Sequence, residues 1–308
     1  MLITASTPTA PPVIRMPRLL RVVAWLSFIA ETLIIGTGGA VRLTGSGLGC
    51  PTWPTCTPES LVATPEMGLH GVIEFGNRTL TGVVGILALV VVVLVWRMRR
   101  ARRDLFTLAL IVLGGVIAQA IVGGITVLTG LNPFIVGFHY VVSLVLVCVC
   151  AAFLVRMKET AALRVRVVPS WYAGLAHLTT AVLAVTIAFG VLTTGAGPHS
   201  GDAAAGRNGF NAELLEHIHA WPGYTLLALT LVLVAVAWTR GLRPRTWVTV
   251  LLGAEAVQIA VGLYQARNGL PEIAVGIHMV LAALTAATMT VVILRMKAPV
   301  PDAAVASH

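Results

Sequence analysis

The sequence predicts an all-α integral membrane protein whose eight transmembrane helices form two duplicated four-helix bundles. Of the 308 residues, 57% are hydrophobic and 11% are charged, and the mean hydropathy is +0.91, well above the value for soluble domains. The apolar stretches are about 20 residues long, which is the length that a helix needs to cross a bilayer. These stretches begin near Leu20, His70, Leu105, Phe134, Ser170, Glu213, Thr246 and Glu272. Because they are continuous rather than alternating, they indicate helices and not barrel strands.

The chain also repeats itself at a constant offset of 139 residues. The positions Gln119, Val122, Gly123, Gly130, Leu131, Val136, Gly137, His139 and Val141 recur as Gln258, Val261, Gly262, Gly269, Leu270, Val275, Gly276, His278 and Val280. Such spacing indicates a duplicated structural unit. The predicted division is a cytoplasmic segment at 1–19, a first bundle at 20–158, a second bundle at 159–297 and a cytoplasmic tail at 298–308.

The formal net charge of +9 reflects topology and not nucleic-acid binding, because the basic residues cluster between spans. Seventeen of the 21 Lys and Arg lie in five alternate segments: Arg15, Arg18, Arg21; Arg97, Arg99, Arg100, Arg102, Arg103; Arg156, Lys158, Arg164, Arg166; Arg240, Arg243, Arg245; Arg295, Lys297. The positive-inside rule then places both termini in the cytoplasm of a bacterial cell, with the protein embedded in the cell membrane. The first apolar stretch is too long for a cleavable signal and lacks a clear cleavage site, so we expect it to remain as the first span.

Two cysteines, Cys50 and Cys56, lie close together in the first outer loop. An oxidising outer compartment favours a disulfide between them, with a redox-active dithiol or two free thiols as the alternatives. Cys148 and Cys150 lie inside the fourth span, where packing is the expected role.

Histidines inside apolar spans are the main candidates for chemistry. His139 and His278 each lie about two turns from the outer end of a span, where an uncompensated polar ring is costly. The sixth span carries His217 and His219, which point in directions about 200° apart on a helix, so only one of them can face a shared site. We favour His219. When the two halves are aligned so that Glu74 matches Glu216, His219 matches Asn77.

Span two opens with a polar stripe on one helical face, formed by His70, Glu74, Asn77, Arg78 and Thr81. Histidines on facing helices of a bundle are the usual way to hold a heme. Buried hydrogen-bonding histidines and a zinc site are the alternatives, although zinc would require more ligands. Glycines beside the histidines leave room for a flat macrocycle, and two duplicated half-sites suit two hemes.

Three motifs make the chain resemble one family. They are the run Gly39-Ala40-Val41-Arg42-Leu43-Thr44-Gly45-Ser46-Gly47-Leu48-Gly49-Cys50-Pro51-Thr52-Trp53-Pro54-Thr55-Cys56, the segment Glu74-Phe75-Gly76-Asn77-Arg78, and the segment Gly197-Pro198-His199-Ser200-Gly201-Asp202. With the eight-span duplicated layout, they resemble the heme A synthase family. The resemblance implies oxidation of the C8 methyl group of heme O to the formyl group of heme A. It also implies a heme O synthase that supplies the substrate, and an electron acceptor.

The resemblance implies different hemes in the two halves. A heme b cofactor would lie in the second half, with His219 and His278 as its axial ligands. The substrate heme would lie in the first half, with its iron held by His139. The family's motif in span two reads Glu-x-x-His-Arg, whereas this chain has Asn77, a poor iron ligand, at the histidine position. The substrate heme is then either held by His70 and His139, with His70 about 10 Å further out, or five-coordinate through His139.

Two further residues of this motif have expected roles. Glu74 is the catalytic candidate, because a carboxylate can stabilise developing charge or accept a proton, and a structural ion pair with Arg78 is the alternative. Arg78 could instead bind a heme propionate. A di-heme cytochrome that only conducts electrons is the second functional hypothesis. The asymmetry between the halves, with one histidine missing from the first, argues against it.

Overall fold

Eight long helices make up most of this computed structural model, which describes residues 16–300. They are α1 (Arg18–Leu43), α2 (Gly68–Trp96), α3 (Arg103–Leu128), α4 (Pro133–Met157), α5 (Ser170–Ala196), α6 (Ala212–Thr239), α7 (Arg245–Arg267) and α8 (Glu272–Arg295). A short 3₁₀ turn, Pro65–Met67, precedes α2. All eight are long and apolar enough to cross a membrane, and every predicted start lies within two residues of the observed one. The predicted fold class is therefore confirmed, and the protein is a multi-pass membrane protein. Residues 1–15 and 301–308, with Arg15 and most of the predicted terminal segments, lie outside the described residues.

Local sequence signals explain where several helices begin. The Asn132 side chain accepts a hydrogen bond from the Phe134 amide (3.0 Å) at the start of α4, and Pro133 occupies the first helical position. Asn211 caps α6 in the same way, through the Leu214 amide at 2.9 Å. These side chains satisfy amide groups that have no partner within the helix.

The helices pack as two rings of four. In the first half α1 contacts α2, α2 contacts α3, α3 contacts α4 and α4 returns to α1, and α5–α8 form the same circuit in the second half. The halves meet mainly through α4 and α8, the helices that carry His139 and His278. The Tyr140 hydroxyl crosses this interface and donates a hydrogen bond to the Met279 carbonyl oxygen (2.9 Å).

The duplication extends to individual hydrogen bonds and backbone angles. The Gln119 amide donates to the His139 carbonyl oxygen at 2.6 Å, and Gln258 donates to that of His278 at 3.1 Å. The turns before α4 and α8 each contain a leucine in the left-handed region, Leu131 at φ 60° and Leu270 at φ 59°. Leucine rarely adopts this conformation. Its presence in both copies shows that the two halves share one local structure.

The largest clusters of buried apolar side chains lie toward the end of the molecule that carries the arginine-rich loops. There the first half buries Leu20, Val95 and Leu105, and the second half buries Leu233 and Val248. The opposite end of the molecule contains a large cavity, described below. The helix ends that lie among the arginine-rich loops therefore provide the rigid base for the site.

One small feature was not predicted from the sequence. Strands β1 (Arg164–Arg166) and β2 (Lys297–Pro299) pair in an antiparallel manner. Nearby, the Glu159 carboxylate forms ion pairs with Arg164, with Arg243 (3.2 Å) and with Arg295 (3.9 Å). These contacts join the connection between the halves to the α6–α7 turn and to the end of α8.

Candidate functional site

A cavity of about 580 Å³ lies between the two bundles and is lined by both. Its walls include His139 from the first half and both His219 and His278 from the second. It extends from Arg42, at the outer end of α1, to Glu31 near the middle of that helix. The structure therefore brings three of the predicted histidine ligands to one continuous space.

His219 and His278 form a pair across the second half of this cavity. Their ring centroids are 6.3 Å apart and the ring planes are nearly perpendicular, at 81°. With metal–nitrogen bonds of about 2 Å, this separation leaves room for one metal atom between the rings. Nδ1 of His219 lies 2.9 Å from the Thr186 carbonyl oxygen, which fixes the ring and leaves Nε2 for a ligand bond.

Two glycines allow these rings to lie against neighbouring helices. A Cβ atom on Gly190 would be 2.8 Å from Cε1 of His219, and one on Gly262 would be 3.0 Å from Cε1 of His278. The repeat has the same arrangement in the first half, where a Cβ on Gly123 would lie 3.5 Å from Cε1 of His139.

Two of the histidine rings that line the cavity carry a buried nitrogen atom without a hydrogen-bond partner among the described residues. Nδ1 of His139 and Nδ1 of His278 are buried and have no hydrogen-bond partner within residues 16–300. Burying a polar atom without a partner is costly, and both atoms belong to rings that line the cavity. The donor set, a histidine pair in an apolar cavity between helices, is the one that heme iron takes.

Within residues 16–300, no other histidine lines this cavity. His217 is exposed on α6, two residues from His219. His70 is exposed at the start of α2, where its Nδ1 lies 2.9 Å from the Ser46 hydroxyl, and it does not line the cavity. His199 contacts the Leu270 carbonyl oxygen at 3.0 Å in the outer loops.

Asn77 lines the cavity on the side of the first half. Its Oδ1 accepts a hydrogen bond from the Thr37 hydroxyl at 2.7 Å, so the amide is held by α1. The first half thus presents one histidine, His139, where the second half presents two.

Glu74 and Arg78 lie beside the loop between α1 and α2 and do not line the cavity. Glu74 is only 4% exposed, and its carboxylate accepts hydrogen bonds from the Cys50 amide (2.6 Å) and from Arg78 (2.5 Å). Arg78 also donates to the carbonyl oxygens of Cys50 (2.9 Å), Thr52 (3.0 Å) and Thr55 (3.2 Å). The pair therefore holds the loop against α2.

The loop that they hold is closed by a disulfide between Cys50 and Cys56, as predicted. Trp53, inside the loop, packs against Gly124 of α3, where any larger residue would overlap the indole ring. The polar stripe of α2 is consequently divided. Glu74 and Arg78 serve the loop, whereas Asn77 and Thr81 face the cavity.

Three cavity residues were missed by the sequence reasoning. Glu31 and Glu255 are each 2% exposed and line the cavity, and Arg42 lines it at the outer end of α1. A usable signal existed, because Glu31 is the only acidic residue of α1 and Glu255 the only one of α7. Isolated carboxyl groups within a membrane span are rare and mark functional positions.

The fold and the site define a class: a multi-pass membrane protein built from two similar four-helix bundles, with histidines from both halves facing one cavity. Comparison with known proteins is specific. Residues 21–200 match the COX15-CtaA family of cytochrome oxidase assembly proteins, so the chain belongs to that family.

Curated relatives carry a more specific name. The chain is 33% identical over 131 residues to proteins named heme A synthase from Listeria welshimeri and Listeria monocytogenes, which covers 42% of this chain and 43% of each relative. A heme A synthase from Bacillus cereus is 33% identical over 129 residues, 41% of each chain. The match thus spans less than half the length of these relatives.

Proposed function

We propose that this protein is a heme A synthase, which oxidises the C8 methyl group of heme O to a formyl group. The observation that carries the proposal is that His139 and the His219–His278 pair face one cavity between the two halves. Membership in the cytochrome oxidase assembly family and the names of the relatives support it. Heme O from a heme O synthase is then the substrate, and the product serves terminal oxidases.

The two halves have different tasks in this proposal. His219 and His278 hold a heme b cofactor, and the Thr186 carbonyl oxygen sets the orientation of the His219 ring. When bound, this heme supplies one-electron transfer. His139 holds the substrate iron from the α4 side. Asn77 faces the substrate with an amide that is already bonded to Thr37, which favours a five-coordinate substrate over ligation by His70.

The walls of the cavity position the substrate and exclude water. The cavity is mostly apolar, and its cationic group at the outer end, Arg42, suits a propionate carboxylate. Glu74 lies three residues before Asn77 on α2 and holds the disulfide loop of the first half against this helix. We propose that conversion depends on Glu74, either through proton transfer when the substrate is bound or by holding this loop.

The function and the ligand assignment are tested together by measuring heme composition. In cells that lack their own heme A synthase and contain heme O, expression of this protein should produce heme A, as measured by chromatography of extracted hemes. His139→Ala should reduce the yield at least about tenfold, because the substrate loses its iron ligand. His70→Ala should retain near-normal yield, because His70 is exposed and bonded to Ser46.

The outcomes separate the alternatives. Loss of heme A in His70→Ala would instead support a substrate held by His70 and His139. No heme A from a folded, heme-loaded parent protein would contradict the proposed activity and favour the electron-conducting cytochrome.

Orientation in the membrane is a further proposal, based on the charge distribution. We expect both termini in the cytoplasm and the Cys50–Cys56 loop outside. Ala203→Cys in the second outer loop should react with a membrane-impermeant maleimide in whole cells, whereas Arg100→Cys, between α2 and α3, should react only after lysis. Both positions are exposed in the fold. Labelling of Arg100→Cys in intact cells would reverse the topology.

A further inference from the structure

One face of α1 lines the first half of the cavity and is charged at both ends. It contains Arg42 at the outer end, Gly38 and Gly39 in the middle, and Glu31 at the inner end. Eleven residues separate Arg42 from Glu31, which corresponds to about 16 Å along a helix and returns to nearly the same face. This length is close to that of a porphyrin from its propionates to the opposite edge.

Both charged residues have capacity left for a ligand. The Arg42 Nη2 atom donates to the Thr194 carbonyl oxygen (2.8 Å), but its buried Nε has no partner in the described part of the chain. Glu31 is 98% buried, and its buried Oε1 has no partner among residues 16–300. A carboxyl group left unpaired in the middle of a membrane span is unfavourable unless something binds it.

The space between these two residues suits a flat apolar body. A Cβ on Gly38 would meet no atom within 4 Å, so the helix surface there is open to the cavity. Ile34, Ile35, Val84 and Val116 provide the apolar walls around the Glu31 end. A matching ligand is therefore a planar molecule with anionic groups at one edge and a single polar group at the other.

Heme O has this distribution of polar groups. It differs from heme B by a side chain that carries a hydroxyl group next to a long apolar prenyl tail, on the part of the ring away from the propionates. We infer that Glu31 hydrogen-bonds this hydroxyl group and thereby selects heme O over heme B in the first half. The inference rests on the proposed function, because that function makes heme O the substrate.

The duplication supplies an independent argument. The cavity-lining residues of α1 and α5 correspond at an offset of 152: Glu31, Ile34, Ile35, Gly38, Gly39 and Arg42 match Leu183, Thr186, Ile187, Gly190, Val191 and Thr194, so Leu183 stands at the position of Glu31. A carboxyl group at this position is thus found only in the half proposed to bind heme O. The half proposed to bind heme b, which lacks the hydroxyl group, has leucine there, and its own cavity carboxyl, Glu255, lies on α7 and accepts a hydrogen bond from Thr230 (2.9 Å).

The selection has a physical basis that predicts its size. A site built to bond a hydroxyl group rejects an analogue without it, because the buried partner is then left unpaired. That penalty corresponds to about tenfold or more in affinity.

The test measures the preference of the purified full-length protein for heme O over heme B at the site of the first half, by competitive spectral titration. Glu31→Leu should lower this preference about tenfold, whereas Glu31→Gln should keep most of it, because an amide can also bond a hydroxyl group. Ser27→Ala is the matched control, because Ser27 is buried one turn further along α1 and does not line the cavity. It should leave the preference unchanged.

A second measurement covers the case in which Glu31→Leu does not fold. A heme with the same prenyl chain but no hydroxyl group should bind the parent protein about tenfold more weakly than heme O, and Glu31→Gln should keep most of this difference. An unchanged preference in Glu31→Leu, or equal binding of both hemes by the parent, overturns the inference. If the preference depends on Glu31 but the parent makes no heme A, the hydroxyl recognition stands and the proposed activity fails.

Discussion

His278→Ala is expected to remove the low-spin heme b spectrum from the purified protein, and His219→Ala is expected to do the same. The two rings lie 6.3 Å apart on α8 and α6 and face one cavity, so each replacement would remove one of the two side chains proposed to hold the heme. A heme left with one ligand becomes high-spin or dissociates, and both changes are visible in the absorption spectrum. The expected loss of low-spin heme is nearly complete.

His217→Ala is the matched control for this experiment. It removes the same side chain from the same helix, two residues away, but His217 is exposed. The low-spin spectrum should persist in this variant. Loss of heme in His217→Ala with retention in His219→Ala would show that the assignment of α6 is wrong by about half a turn.

Glu74→Ala is expected to abolish conversion of heme O while the heme b of the second half stays bound. The proposed ligands of that heme lie on α6 and α8, whereas Glu74 bonds the Cys50 amide and Arg78 within the first half. Loss of a proton-transferring group typically lowers a rate by about 10²–10⁴-fold. Heme chromatography measures the conversion, and the absorption spectrum measures the retained cofactor. Heme A at the parent level would exclude a role for this carboxylate.

Two further variants separate a chemical role from a structural one. Glu74→Gln can still accept a hydrogen bond from the Cys50 amide, so it keeps part of the loop's attachment but removes the carboxylate. Arg78→Ala keeps the carboxylate but removes donors to three loop carbonyl oxygens. An inactive Glu74→Gln together with an active Arg78→Ala would support proton transfer. The reverse result, with the disulfide of Arg78→Ala more accessible to reductants, would support loop positioning.

The helices could be predicted closely because their cause is local. A span needs about 20 apolar residues, and the basic clusters mark where each span ends. The choice of His219 over His217 combined helical geometry with the alignment of Glu74 and Glu216, and His219 is the one that lines the cavity. These features depend on spacing along the chain, which the sequence states directly.

The environment of Glu74 could not be predicted from spacing along the chain. Spacing placed it on a polar face with Asn77, only about 60° away around the helix, yet the partners of the two residues come from different elements. Asn77 meets Thr37 of α1, whereas Glu74 meets the backbone of Cys50 in a loop. Which element covers each part of a helix face depends on the packing of the whole bundle. The sequence does show Glu31 as an isolated acidic residue in a span, but its lack of a hydrogen-bond partner is a property of the assembled cavity.

The pairing of β1 with β2 has a consequence for biogenesis. β2 follows all eight helices in the chain, whereas β1 precedes α5, so the two strands can meet only after the last span has been synthesised. The first bundle can insert and pack earlier, because domains fold in the order of their synthesis. Until α8 arrives, α4 lacks its packing partner in the second half, and the cavity lacks one wall. A ligand that needs the complete cavity can therefore bind only after translation of the second half.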